Sequence, residues 1–513
     1  MFKDPMFDSQ LLEWKVYGNA TWIQVDEGEE TILAYIKTPS ETKPSGSVIA
    51  KTGCWSMLKG GFTAYEDEKV DLIFKVPNNK NEVWIDNVSL KSFTKAEWRE
   101  QQKRSINKYR KRDIKIKVTD KAGKPLEGAN ITLTHTRPLF LIGCGTGYSI
   151  LEAKAYQDFF AARFTAATPH NEMKWYYNEH FQGVENYETA DAMVSFFEKN
   201  NIAIRGHCIL WDSTNASNYW TQTLPPREVL YTTIRRIASV VSRYTGRVIA
   251  WDVVNENLHN SYYESILGAN ASAMIYQAIR YAKLEFNHVT RAIDPHTPLF
   301  INEYNTLEYP KDIKVIPARI VHKIREIKSF PGNEDMVLHI GMQGHFTLRA
   351  NISYIRAAFD VMGASGSPIW LTELDFLKSD TQHEDLENVL RESFSHPAVE
   401  GIIIFGGWKK KGCRDECINA KDYNHMPIGC GQMCLIDNNF KITPTGELVD
   451  RLILKEWRSN VVTVTDKDGV FSGRLFHGDF NLTCSHPSIP NPVERTFKLE
   501  KEEGALQFGI TLK

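Results

Sequence analysis

Two glutamates sit at the ends of apolar stretches that otherwise read as buried strands. In "VIAWDVVNE" (248–256) the run ends on Asn255 and Glu256, and in "PIWLTELDF" (368–376) Glu373 and Asp375 interrupt another. Taken singly, each glutamate is a surface residue at the start of a loop. Two carboxylates facing each other across a cleft can do more, because they can divide the work of breaking a glycosidic bond. One, protonated, donates to the leaving oxygen, and the other, ionised, attacks the anomeric carbon. Their mutual repulsion helps keep one of them protonated.

The elements that would hold them apart follow from the rhythm of the chain after residue 138. Short apolar runs, "LFLIGCG" (139–145), "RFTAAT" (163–168), "IAIRGHCILW" (202–211), "VIAWDVVNE" (248–256), "PLFINEYN" (298–305), "LHIGMQGHF" (338–346), "PIWLTELDF" (368–376) and "GIIIFGGW" (401–408), alternate with longer segments of helical spacing such as "YETADAMVSFFEKNN" and "ASAMIYQAIRYAKLEF". Continuous apolar runs with long crossovers indicate parallel strands buried on both faces. Eight of them over about 320 residues predict a (β/α)8 TIM barrel, with a doubly wound sheet as the second choice. Barrel chemistry collects at the C-terminal strand ends. Those ends carry Asn171 and Glu172, His207, Asn255 and Glu256, Glu303, Gln343 and His345, and Glu373 and Asp375. Buried polar groups must be paired or used, so six polar strand ends imply a shared functional face. Glu256 and Glu373 end the fourth and seventh strands, which lie across the barrel mouth.

Composition narrows the class. A chain of 513 residues exceeds one ordinary domain, so about two to four are expected. With 42% hydrophobic residues it can bury a large core, and a net charge of −2 gives no global field toward nucleic acid or anionic lipid. The basic run "KRSINKYRKR" (103–112) reads as a solvated face or linker. No apolar run reaches the length of a membrane span, and the first 30 residues lack a basic start followed by an apolar core, so no signal peptide is visible. Four of the eight cysteines cluster as Cys413, Cys417, Cys430 and Cys434. Their spacing ranks disulfides first, free thiols second and a zinc site third. Asn-x-Ser/Thr sites begin at Asn19, Asn87, Asn130, Asn215, Asn270, Asn351 and Asn481, and permit glycosylation.

"WDVVNE" and "LTELD" resemble the two active-site signatures of glycoside hydrolase family 10, the endo-1,4-β-xylanases. "NEMKW" (171–175), "RGHCILW" (205–211), "NEYN" (302–305) and "GMQGHF" (341–346) resemble further motifs of that family, in order, from about residue 140 to "EW" (456–457). The resemblance implies Glu256 as general acid/base and Glu373 as nucleophile, about 5–5.5 Å apart as retention of configuration requires. It implies that Asn255 bonds the sugar 2-hydroxyl, and that His345, oriented by Asp375 and joined by Gln343, contacts Glu373. Asn171, Lys174, His207 and Trp211 would line the glycone side, with Phe405 above it, and Tyr304 the aglycone side. No cofactor or metal enters this reading. The implied partner is xylan or xylo-oligosaccharide, with no nucleic acid and no membrane, for a monomer acting outside the cell or in the cell wall. The alternatives are another β-glycan or a weakly active xylan-binding protein. The sequence departs from the family pattern at His170, where a glutamate is usual, at Phe405, where a tryptophan is usual, and in a longer cysteine-bearing insertion after Trp408.

Accessory all-β sandwiches flank the expected barrel (138–457). Residues 1–93, with Trp14, Trp22, Trp55 and Trp84, resemble a carbohydrate-binding module of the family 22 type, and 94–111 read as a polar helical linker. "VTDKAG" (118–123) recurs as "VTDKDG" (464–469). The first copy lies in 113–135, two alternating strands about a Gly/Pro turn that read as a hairpin. Because a lone hairpin is marginal in water, residues 112–136 and 459–513 are expected to form one discontinuous sandwich interrupted by the barrel.

Overall fold

The computed structural model describes residues 23–24, 28–64, 69–76, 82–85, 88–281, 297–420, 426 and 430–513. Trp14, Trp22, the Asn19 and Asn87 acceptor sites and the end of the helical pattern over 271–286 lie outside the described residues.

Eight parallel strands close into a barrel: β1 (Leu141–Thr146), β2 (Ala166–Pro169), β3 (Ala203–Gly206), β4 (Ala250–Asp252), β5 (Leu299–Glu303), β6 (Leu338–Met342), β7 (Ile369–Phe376) and β8 (Val399–Ile404). Each pairs with the next, and β8 returns to β1. The TIM barrel expected from the apolar rhythm is therefore the fold. Ala166, Ala250, Phe300, Trp370 and Ile403 form one apolar cluster on the strands. Tyr156, Phe160, Phe197, Val240, Ile279 and Phe359 belong to a second, larger core to which the helices contribute.

The strand ends depart from the sequence expectation in a way that serves the mouth. The run expected as one strand over 202–211 stops at Gly206, and pairing resumes only at Leu210–Trp211, against Val254–Asn255. In the gap His207 turns its Nδ1 to Asp252 Oδ2 at 2.6 Å. Likewise 338–346 breaks after Met342 and resumes at His345–Phe346, beside Asp375–Phe376. Polar side chains at the breaks satisfy one another across strands where the backbone ladder lapses.

Outside the barrel, Lys111–Thr119 and Asn130–Pro138 do not pair with each other, which corrects the hairpin read from their alternation. Asn130–Pro138 lies between Val461–Val464 and Gly478–His486 in one sheet. Lys111–Thr119 lies between Val470–Phe476 and Leu506–Thr511 in another. The alternating residues Ile114, Ile116, Val118, Ile131 and Leu133 share one core with Phe480, Leu482, Leu499 and Ile510. Alternation tells which face is buried but not which strand is the neighbour. A burial need that a hairpin cannot meet is met by two sheets.

The helix Lys95–Tyr109 starts with a capping box between Thr94 and Glu97. It is held to the barrel by Glu392, which is buried and accepts from Trp98 Nε1 (2.8 Å), Gln102 Nε2 (2.6 Å) and Arg356 Nη1 (3.0 Å). Arg110, just after it, donates to the carbonyls of Phe394, His396 and Val399. Val399 begins β8, so this anchor lies at the end of the barrel opposite the mouth. Toward the N-terminus, Lys59–Gly60, Thr42–Lys51, Glu29–Lys37 and Asp71–Lys75 form a four-stranded antiparallel sheet. The cysteine cluster is stapled as Cys413–Cys434 and Cys417–Cys430. Among the described residues no helix is long and apolar enough to cross a membrane.

Phe480 tests the two-sheet core. It is buried and stacks on His135 (4.5 Å) and on Phe497 (5.2 Å). Phe480→Ala should cost about 3–5 kcal/mol and accelerate amide hydrogen exchange over 130–138, a segment 342 to 350 residues earlier in the sequence. Unchanged exchange in that segment would show that it does not depend on the C-terminal strands.

Candidate active site

Glu373 stands near the end of β7, almost completely buried. Its Oε1 accepts from Asn302 Nδ2 at 3.0 Å and lies 3.9 Å from His207 Nε2, and its Oε2 faces His345 Nε2 at 3.3 Å. Burial alone would raise the pKa of this carboxyl. The opposing fields of His207, His345 and Lys174, with the His345 hydrogen bond, hold it well below the usual carboxylate range. His345 turns its other nitrogen to Asp375 Oδ1 at 2.8 Å. Burial pulls the imidazole down, but bonds and charges from Asp375 and Glu373 push it up to about 11. A ring with both nitrogens on carboxylates donates from both and is an imidazolium. Glu373 and Asp375 reach the same ring because they are two residues apart on one strand.

Glu256, just beyond β4, is half-buried and takes φ 61°. Its Oε2 accepts from Trp211 Nε1 (2.8 Å) and its Oε1 from Gln343 Nε2 (3.0 Å). The backbone is pinned on both sides, with Glu256 N donating to Asn302 O and Asn260 N to Glu256 O. Lys174 Nζ lies over the Trp211 ring at 4.4 Å and donates to Asn171 Oδ1 at 3.1 Å, which also accepts from Tyr176 Oη at 2.9 Å. The structure thus brings Asn171, Lys174, His207, Trp211, Asn255, Glu256, Gln343, His345, Glu373 and Asp375 into one connected mouth.

Asn302 organises that mouth, although the sequence did not single it out. Thr372 Oγ1 donates to its Oδ1 at 2.6 Å, so its Nδ2 is left to serve Asn255 Oδ1 (2.9 Å) and Glu373 Oε1 (3.0 Å). With its oxygen taken, Asn255 keeps its own N–H groups for a ligand. A Cβ at Gly341 would overlap Asn302 Oδ1, so glycine is required there. Asp252 was also missed. Buried in β4, it pairs with Arg205 and orients His207. Glu308 accepts from the backbone N–H groups of Gly344 (2.8 Å) and His345 (2.9 Å), shaping the break in β6. The available signal was an Asp inside an apolar strand and an Asn beside the more conspicuous Glu303.

Phe405 and His170 pack against each other, ring centroids 4.3 Å apart, over Gly145, and Phe405 meets His345 edge-on at 5.8 Å. Burial and the charge of Lys409 push the His170 imidazole down to about 3, so this ring stays neutral. Tyr304 stacks on His259.

The sequence profile of glycosyl hydrolase family 10 matches residues 134–445. Endo-1,4-beta-xylanase 4 of Arabidopsis thaliana is 37% identical over 97% of this chain and 85% of its own length. Endo-1,4-beta-xylanase 5-like of the same plant is 38% identical over 96% and 83%. Among solved structures, xylanase 10B from Thermotoga petrophila, in complex with xylobiose, superposes with a TM-score of 0.50 at 23% identity, covering 62% of this chain and 95% of that one. That likeness repeats the barrel alone. With the profile spanning more than half the chain and the plant relatives nearly all of it, the chain belongs to glycosyl hydrolase family 10.

Proposed function

We propose that the protein is a retaining endo-1,4-β-xylanase that hydrolyses internal bonds of cell-wall xylan. The observation that carries the reading is the unequal treatment of the two carboxylates. Glu373 is buried among His207, His345 and Asn302, which hold it ionised. Glu256 is half-buried and fixed only by two neutral donors, Trp211 and Gln343. An ionised, oriented carboxylate is a nucleophile. A carboxyl with no cation bonded to it can cycle between acid and base. Glu373 attacks the anomeric carbon as Glu256 protonates the leaving oxygen, giving a glycosyl-enzyme. Glu256 then takes a proton from water, which opens that ester from the same face as the departed group. The free N–H of Asn255 meets the sugar 2-hydroxyl as charge develops. The plant relatives carry the name endo-1,4-beta-xylanase, and the two disulfides suit an extracellular site of action. The N-terminal sheet fits a family 22-type module that would hold the enzyme on its polymer.

Glu373→Ala should abolish cleavage of all glycosides, whereas Glu256→Ala should retain turnover of aryl xylosides whose leaving group needs no proton. Equal losses on both kinds of substrate would contradict the division of roles. The same division requires a carboxyl separation of about 5–5.5 Å and a product of retained configuration, read by NMR of the newly formed anomer.

The His345–Asp375 pair predicts a pH effect. Asp375→Asn removes one of the carboxylates that keep His345 charged, so the imidazole should lose its proton at lower pH than in the wild type, read by 15N NMR of the ring. The ring stays charged through the acid range in both forms, so the acid limb of the kcat/KM profile should not move to higher pH. An unchanged His345 titration would remove Asp375 from control of that ring.

The Phe405–His170 pair bears on sugar choice, because it flanks the glycone side. Phe405→Trp combined with His170→Glu should raise kcat/KM on xylo-oligosaccharides. An unchanged or lower value, with better turnover of β-gluco-oligosaccharides by the wild type, would favour a glucan substrate.

A further inference from the structure

His259 lies three residues beyond Glu256 and has a role that the reaction scheme leaves open. Its Nδ1 faces Glu303 Oε2 at 2.7 Å and its Nε2 faces Asp312 Oδ2 at 2.8 Å, with the side chain only 8% exposed. Carboxylates only accept, so both nitrogens donate and the ring is an imidazolium. Glu303, at the end of β5, is fully buried and takes one further bond, from Leu258 N at 2.6 Å. Asp312 also accepts from Asn305 Nδ2 at 2.9 Å and Lys314 N at 3.2 Å, and Lys314 Nζ returns to His259 O at 3.3 Å. One ring therefore ties together the loop after β4, the end of β5 and the loop after β5.

Tyr304 is stacked on this cation. The two rings are nearly parallel, 10° apart, with centroids 3.8 Å apart. A cation under an aromatic face fixes the ring by electrostatic attraction as well as by contact. Tyr304 follows Glu303 directly, on the strand beside the one that carries Glu256, and it feels the charge of Glu256. It is half-buried, so part of it remains available to a ligand.

We propose that His259 is a positioning residue of the aglycone subsite. Its imidazolium clamps the loops after β4 and β5 and holds Tyr304 as a rigid platform for the first sugar beyond the cleavage point. The proposal rests on the glycosidase reading above and names the part of the cleft that receives the leaving chain. The groups facing the imidazolium are Glu303, Asp312 and Tyr304, with Lys314 on the backbone of the same loop and Glu256 acting through Glu303. Burial would lower the pKa of His259, but Glu303 and Asp312 raise it above the usual imidazole value. The clamp is therefore present at neutral pH and lost as pH rises through the raised value of His259, and it weakens in acid as Glu303, whose carboxyl burial pushes up, takes a proton.

The test separates the aglycone subsite from the rest of the site. With 2,4-dinitrophenyl β-xylobioside, turnover at saturation is limited by hydrolysis of the glycosyl-enzyme, when no sugar occupies the aglycone side. With xylotetraose the leaving group must bind there. His259→Gln should lose about tenfold in kcat/KM on xylotetraose while kcat on the aryl substrate stays within about twofold. Transfer of the xylobiosyl group to added xylobiose should fall with it. In the wild type KM for xylotetraose should rise at alkaline pH, and the variant should lack that rise. His259→Phe, which keeps the stack and loses the charge, and Asp312→Asn, which leaves Glu303 paired, should fall between the two, and either serves if the glutamine variant does not fold. Equal losses on both substrates, or no loss on either, would overturn the proposal. Wild-type turnover of the aryl substrate with none of xylotetraose would instead refute the choice of polymer. The same ratio measured on cello-oligosaccharides then decides the role of His259.

Discussion

An ionised carboxylate must survive in a place from which water is largely excluded, and most of the barrel mouth follows from that requirement. Removing a carboxylate from water costs several kcal/mol even after relaxation. For Glu373 the cost is offset by His345 and Asn302 at hydrogen-bond distance and His207 just beyond it. Each of these partners is itself a buried polar group that needs partners. His345 leans on Asp375, Asn302 on Thr372, and His207 on Asp252, which is neutralised by Arg205. The His345 branch ends at Asp375 on the partly exposed rim, whereas the His207 branch ends inside the barrel at the buried Arg205–Asp252 pair. His207, Asp252, Asn302, His345 and Asp375, at or close to the mouth ends of β3 to β7, are thus polar because one charge near the end of β7 needs partners and those partners need partners of their own.

Glu256 is built to the opposite specification. Its donors are an indole and an amide, neither of which carries charge. A fixed cation there would oppose the proton that a general acid must carry. The backbone supplies the rigidity that ion pairing supplies at Glu373, through a left-handed conformation at Glu256 and bonds to Asn302 O and Asn260 N. Left-handed backbone at a non-glycine residue is costly and persists only where the surroundings enforce it. Asn302 touches both halves, giving its side chain to Glu373 and its carbonyl to the backbone of Glu256, so the spacing of the two carboxylates is set partly through one residue of β5.

What the sequence revealed of this arrangement divides along a physical line. Burial on both faces of a strand leaves a continuous apolar run, so the eight strands and their polar ends were legible. Pairing is not local, and no residue in Lys111–Thr119 or Asn130–Pro138 says that its neighbour lies more than three hundred residues away. Alternation alone therefore suggested a hairpin. The same holds inside the site. Asn302 looks like an ordinary strand residue until Thr372 and Gly341 from two other strands fix its orientation. His259 and Asp312 sit in separate loops and acquire meaning only where Glu303 brings them together.

His170 and Phe405 illustrate how two apparently separate changes become one. They come from the ends of β2 and β8, which both pair with β1, and they meet above the bare Cα of Gly145. Phe405 packs so close to that glycine that no side chain fits there, and His170 fills the space beside it. Burial and the charge of Lys409 keep the His170 ring neutral, and its Nε2 is buried with no hydrogen-bond partner. A carboxylate placed alone at 170 would gain the attraction of Lys409 and Lys174 but would press against the face of Phe405. A larger ring placed alone at 405 would meet the His170 imidazole. Residues in direct contact do not contribute additively. Each side chain defines the space of the other, so substitutions at the two positions are coupled and their effects do not add.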